Sequence, residues 1–242
     1  MAINNALERR TFERRFFLAV AIFFPITVFI GFGPTYYVKE FFPKPPLPSR
    51  LLHIHGALMT SWVLLFIAQV YLISSKMIRI HQKLGLASVA LAALIVVVGT
   101  MTGIEEAQRE IRDPNVQVLS SLVIPLGDLL TFAVLFAAAV YYRKKAADHK
   151  RLIVLTILSL LPPALARFPF GLSDAFGPLW YFGTPDLMAI GFVAFDAWQN
   201  KKVNPAFLAG AAFMIALHWL RFPLSTTTVW LNFASWLTGI PM

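Results

Sequence analysis

Residues 51–75 read LLHIHGALMTSWVLLFIAQVYLISS, and the reading of this stretch decides the fold. A helix of about 20 apolar residues crosses the hydrocarbon core of a bilayer. The stretch is long enough, yet His53, His55, Trp62 and Gln69 interrupt it. At about 100° per residue, positions 55, 62 and 69 fall within roughly 40° of one another, so they form one stripe that should face protein and not lipid. His53 lies about 160° from His55 on the same helix, so a site on that stripe uses His55.

The rest of the chain belongs to the same class. Of its 242 residues 58% are hydrophobic and 14% charged, and the mean hydropathy is +0.68, far above what a soluble domain with a wet surface carries. This is the composition of an all-α integral membrane protein, with the lipid bilayer as its first partner. A formal charge of +9 and a pI near 10.0 would point to nucleic acid in a soluble chain. In a membrane protein Lys and Arg collect in cytoplasmic loops, so the basicity is read as topology and nucleic acid is not an expected partner. The chain has no cysteine, which excludes disulfides, covalent c-type haem and cysteine-ligated clusters. Histidine, carboxylate and methionine remain as metal ligands.

Outward from residues 51–75, polar residues 1–15 precede an apolar run over 16–38 that is too long for a secretory signal and has no cleavage site. It reads as a retained first helix, bent or shortened by Pro25 and Pro34. The FFPKPPLP stretch of 39–50 is an external loop. Further spans are expected over 84–104, 116–142, 152–170 (broken by Pro162-Pro163), 184–198 and 206–222, with KMIRIHQK, RKKAADHKR and QNKKVNP as cytoplasmic loops. The tail, 223–242, with Trp230 and Trp236 among Ser and Thr, reads as an interfacial segment. The domains expected are therefore a cytoplasmic segment 1–15, a seven-helix transmembrane domain 16–222 and an interfacial segment 223–242. With the N-terminus inside and the C-terminus outside, the inside segments hold 14 of the 21 basic residues, as the positive-inside rule requires. Six helices with a re-entrant sixth segment is the competing arrangement.

Two of the hairpins turn through basic loops that restart as helix at a histidine, IHQKLG at His81 and DHKRLI at His149, and NKKVNPA repeats the loop without the histidine. One leading helix plus three helical hairpins is the architecture this implies. HIHG, HQKLG, DHKRL, PPALAR and NPA, spaced over residues 50–225, together resemble a family of bacterial multi-helix inner-membrane proteins without an assigned activity. More distantly, the H-x-x-L-G opening is similar to helices of cytochrome b561-like proteins and of membrane factors for haem-copper oxidase maturation. The resemblance implies an inner-membrane, multi-pass fold and haem chemistry.

On the expected topology His55 and His218 both lie about one turn inside the external boundary, with Arg167, Arg221 and Asp186 at similar depth. Two imidazoles at one level are what axial ligation of a b-type haem needs, and the two arginines would meet its propionates. A mononuclear metal would draw on His53, His55, His218 and Asp186. His81 and His149 form a second, cytoplasmic pair, whose competing role is headgroup contact or loop packing. Asp128, near the middle of its span, must be protonated, paired or beside water, since an unpaired charge there costs at least ~2.5 kcal/mol. Its candidate partners are Gln69 or carbonyls freed by the prolines; Asp196 is expected to pair with Lys201 or Lys202.

No lysine lies in the seventh span for a retinal Schiff base, and P-loop, H-E-x-x-H and G-x-S-x-G motifs are all absent. Two functions from different classes follow. The first is a b-haem or metal protein that passes electrons, with a quinone or a respiratory or photosynthetic membrane complex as partner, or that assists an oxidase. The second is cofactor-free: an accessory subunit of a membrane complex, or a proton-coupled carrier of a small solute through a cavity around Gln69 and Asp128.

Overall fold

The computed structural model describes residues 2–43, 46–111 and 117–241, with side chains from Arg15 onward. The described residues are helical, without strands. Helix α1 (Ala2–Phe32) runs on into a π-type turn, Gly33–Tyr37, so Pro25 does not stop it and Pro34 only widens its last turn. It already begins within the segment expected to be a non-membrane N-terminal stretch. Residues 112–116, between the spans expected over 84–104 and 116–142, and the centre of the FFPKPPLP stretch lie outside the described residues.

Helix α2 (Arg50–Ser74) starts where Ser49 accepts the Leu52 N–H at 3.3 Å. The same hydroxyl donates to Glu105 near the end of α3 (Ile78–Glu110) at 3.0 Å. Helix α3 is longer at both ends than the span expected over 84–104, because no proline falls between 78 and 110. The basic loop shrinks to a turn in which Lys76 takes the left-handed conformation, φ 60°. Next, α4 (Val118–Ser121) and α5 (Val123–Tyr141) are separated at Leu122, where Pro125 offers no N–H to the Ser121 carbonyl. Helix α6 (Ala146–Leu158) and α7 (Pro162–Leu165) form the expected broken helix, stopped by Pro162-Pro163. Short α8 (Leu172–Phe176) and α9 (Pro178–Tyr181) lead to α10 (Gly183–Asn200), α11 (Pro205–Ser225) and α12 (Thr228–Thr238). Asn204 caps α11 by accepting the Phe207 N–H at 2.8 Å.

Five stretches are long and apolar enough to cross a membrane: Arg15–Tyr37, Arg50–Ser74, Ile78–Glu110, Val118–Lys144 and Pro205–Ser225. The unbroken part of α6 has 13 residues, and α10 has 18 with Asp186 and Asp196 among them, so neither is a long apolar span by itself. Helices α2 and α3, α5 and α6, and α10 and α11 pack as neighbours in three hairpins, with α5 also against α3 and α11. Helix α1 packs on α2 and α7; Gly31 permits this, since a Cβ there would sit 2.2 Å from the Ala164 carbonyl oxygen. The core centres on Trp62, whose ring meets Phe132 and Phe136 edge-on. The apolar side chains Leu64, Leu86 and Val97 point outward, as a lipid-facing surface requires. Helix α12 is not free of the fold: Gln108 donates to the Thr238 carbonyl and Trp230 to that of Leu119, both at 2.8 Å.

Candidate functional site

Helix α11 carries His218 and Arg221 one turn apart, so both side chains face the same neighbours. Both are buried, and both end on a carboxylate. His218 Nδ1 lies 2.7 Å from Asp186 Oδ1, and Trp219 donates its indole N–H to Oδ2 at 2.8 Å. Asp186 sits in the first turn of α10, where the helix dipole favours a carboxylate. Arg221 donates from Nη1 to Asp128 Oδ1 at 2.7 Å and to the Ile124 carbonyl at 3.2 Å, and from Nε to the Leu217 carbonyl at 2.9 Å. Asp128 belongs to α5, so the two side-chain contacts tie α5, α10 and α11 together.

A single ring covers both pairs. Phe182, fully buried ahead of α10, stacks on the His218 imidazole at 4.8 Å and lies under the Arg221 guanidinium at 4.5 Å. Gly127 makes room for the guanidinium, because a Cβ there would come within 3.0 Å of Cζ. Beside them, burial pushes the Tyr181 phenol above its ordinary pKa; the Asp128 carboxylate adds to this and Arg221 opposes it.

Two atoms of this network are left over. His218 Nε2 and Arg221 Nη2 are buried without a hydrogen-bond partner. Because a carboxylate only accepts, the proton of this contact sits on Nδ1, and Nε2 is left with nothing to bond. Arg221 Nη2 has two N–H donors to give. Buried polar atoms are satisfied in the great majority of cases, so this pair is the strongest functional signal in the molecule.

The other residues singled out from the sequence fall into three places. On the 55/62/69 stripe, Trp62 is buried and His55 and Gln69 are half-buried, whereas His53 is exposed. His55 Nδ1 and Trp62 Nε1 are sealed and unpartnered. Arg167 is close enough to His55 for their charges to interact, donates to the Pro163 carbonyl at 2.9 Å and lies over the Phe32 ring at 5.0 Å. It is therefore a companion of His55, not of Arg221. Gln69 bonds His81 Nδ1 at 2.6 Å, and His149 Nδ1 bonds the Ala139 carbonyl at 2.8 Å. Each of these histidines thus clamps the hairpin it opens to the helix before it.

Three expected arrangements are not found. Asp128 does not meet Gln69; its partner is Arg221, and the two polar residues serve different ends of their helices. Asp196 is held not by Lys201 or Lys202 but by Arg151, whose Nε and Nη2 reach its two oxygens at 3.0 and 2.6 Å. The four-residue metal set does not assemble, since among the described residues no group of three or more His, Asp or Glu is placed to hold a metal ion. His53 is exposed and Asp186 is fully used. To a haem, the network offers one imidazole nitrogen, with Phe182 stacked on that ring; the second expected axial ligand, His55, belongs to the Arg167 cluster.

Trp219, Phe182, Tyr181 and Gly127 were not legible as site residues. Their only signal is position: Trp219 adjoins His218, and Gly127 precedes Asp128. Compared with known proteins, the chain matches no family model, no curated protein and no solved structure. What fold and site define is a class: an all-helical, multi-pass membrane protein with a buried His–Asp and Arg–Asp network joining three helices.

Proposed function

We propose that this protein spans the inner membrane seven times, N-terminus inside and C-terminus outside, and carries a small polar solute together with a proton. The α6–α7 unit and α10 complete the seven spans, and the positive-inside count supports the orientation. Irregular backbone such as the break at Pro162-Pro163 is tolerated at membrane depth where protein surrounds it, a feature common in carriers. The observation that carries the reading is the buried, unpartnered Nε2 of His218, on a ring whose other nitrogen is held by Asp186. Ionisable groups inside a membrane mark proton relays and solute paths.

The test is a proteoliposome assay with an entrapped pH dye and a panel of external solutes: organic acids, amino acids, sugars and phosphate. One member of the panel should acidify the lumen with the wild-type protein and not with His218→Gln. A panel in which no solute moves protons overturns the reading.

A second reading keeps one observation in its favour. An imidazole whose Nδ1 bonds a carboxylate and whose Nε2 is free is also the form in which histidine ligates metals and haem iron. In that reading His218 is one ligand of a b-type haem or a metal, and electrons pass to or from a quinone or a respiratory or photosynthetic complex. A reduced-minus-oxidised visible spectrum with metal content on the same sample decides it: a haem band or bound metal lost in His218→Ala supports it, and a colourless, metal-free protein removes it.

A further inference from the structure

At the other end of α11 from His218 and Arg221, a groove runs between α1, α6 and α10, with Phe207 of α11 also in its wall. Half of its ten lining residues are phenylalanines, Phe16 and Phe17 on α1, Phe192 and Phe195 on α10, and Phe207. Helix α1 packs on α2 and α7, and here it reaches α10 through the Phe16 and Phe192 rings, edge to face at 4.9 Å. The groove holds ≈ 40 Å³, far below the roughly 300 Å³ at which small-molecule pockets begin. It is a slot for a slender apolar chain and not a cavity for a solute.

The polar part of the same lining is Lys150, Arg151, Asp196 and Gln199. Asp196 offsets Arg151, whose Nε and Nη2 meet its oxygens at 3.0 and 2.6 Å, and Asp148 accepts from Asn204 at 2.6 Å. Asp148 and Asp196 are the acidic residues of segments 143–151 and 196–202, which hold seven basic ones. Positive charge is therefore in excess beside the aromatic slot. Lys201, with Nζ 5.4 Å from the Trp198 ring, keeps part of it on this end of α10. A phospholipid joins an anionic phosphate to hydrocarbon and so matches both halves of the groove. A free phosphate would leave the phenylalanines unused.

We propose that this groove binds one anionic phospholipid, with its phosphate on Lys150 and Gln199 and the first part of one acyl chain along Phe16, Phe192 and Phe195. The ammonium brings three N–H donors and the amide two, enough to meet the phosphate oxygens from both helices. Arg151 stays with Asp196. The excess positive charge selects against zwitterionic headgroups, since a basic residue near the headgroup contributes about fivefold in affinity. In the orientation proposed above, the groove opens to the cytoplasmic leaflet, where anionic lipid is found. A lipid seated there adds a link between α1 and the α6–α10 pair. The site is separate from the His218 network, so its failure would leave the carrier reading untouched.

The experiment is native mass spectrometry of the full chain, stripped of lipid in mild detergent and mixed with equal amounts of dioleoyl phosphatidylglycerol and dioleoyl phosphatidylcholine. Wild-type protein should retain one phosphatidylglycerol, preferred over phosphatidylcholine by about fivefold or more. Lys150→Gln should lower that preference about fivefold, and Lys150→Arg, which keeps the charge, should retain it. Lys144→Gln removes an exposed basic residue outside the groove and should change nothing. Phe192→Ala should lower retention of both lipids and leave their ratio as it was. Equal retention of the two lipids by wild type overturns the site. A Lys144→Gln effect as large as that of Lys150→Gln reduces it to diffuse surface charge and also overturns it. Displacement of phosphatidylglycerol by sn-glycerol 3-phosphate would show a free-phosphate site and overturn the lipid assignment. Loss of the preference in Lys150→Arg overturns Lys150 as the phosphate ligand.

Discussion

Replacing Asp128 by Leu should be costly alone and nearly harmless in company. The Asp128–Arg221 pair is 2.7 Å long with side-chain exposures of 9% and 2%. At an effective dielectric of ~20 the attraction at that distance is about 6 kcal/mol, but desolvating both ions consumes most of it, so the intact pair contributes little net stability. Breaking it is different. Asp128→Leu leaves the Arg221 charge buried, and removal of one partner of such a pair typically costs about 3–5 kcal/mol. Arg221 keeps two carbonyl acceptors and the Phe182 face, so the lower end, about 3 kcal/mol, is expected. For a chain of this size that lowers the melting temperature by roughly 6–12 °C. Asp128→Leu with Arg221→Met removes both charges, and it should recover to within about 1 kcal/mol of wild type. Thermal unfolding in one detergent, followed by intrinsic tryptophan fluorescence, measures all three proteins. A single variant that costs under about 1 kcal/mol, or a double variant no better than the single, refutes the argument that the pair is a buried charge problem solved by mutual neutralisation.

Three further outcomes follow from the packing. Gly127→Ala places a methyl within 3.0 Å of the Arg221 guanidinium, so solute-driven proton movement should fall sharply while the melting temperature changes little; unchanged flux would show that the position of Arg221 is not critical. Gly31→Ala pushes a methyl against the Ala164 carbonyl oxygen at 2.2 Å, a backbone contact that cannot rotate away, and should destabilise by about 1–3 kcal/mol in the same melt. Arg151→Lys cannot reproduce the two-pronged contact with Asp196 and should cost about 1.5–3 kcal/mol, whereas Lys201→Ala and Lys202→Ala should each be neutral; the reverse order would reinstate the lysines as its partners.

The helices were legible because apolar run length is a local property and survives whatever the neighbours do. Residues 51–75 anticipated α2 almost to the residue, and the 55/62/69 stripe put Trp62 inward because helical phase is fixed by the 3.6-residue turn. Helix ends were less legible: α3 gained six residues at each end because charged residues permit helix just as well as loop, and only proline or a left-handed residue ends it. Within the site, the residues that reached the page were those whose type is expensive in a membrane, His218, Arg221, Asp186 and Asp128. Their pairing did not, since which arginine meets which carboxylate depends on the packing of α5, α10 and α11, and Arg167 and Arg221 look alike in sequence.

The same distinction separates the histidines. His81 and His149 recur with their loops because each closes its own hairpin, reaching an acceptor ten or twelve residues back on the preceding helix. A role of that kind repeats with the hairpin and is satisfied locally. His218 has no counterpart in the other hairpins, draws its partner from 32 residues away and still has a nitrogen to spare. Repetition with satisfied bonds marks the scaffold; a single buried imidazole, held at one nitrogen and open at the other, is what singles out the proposed site.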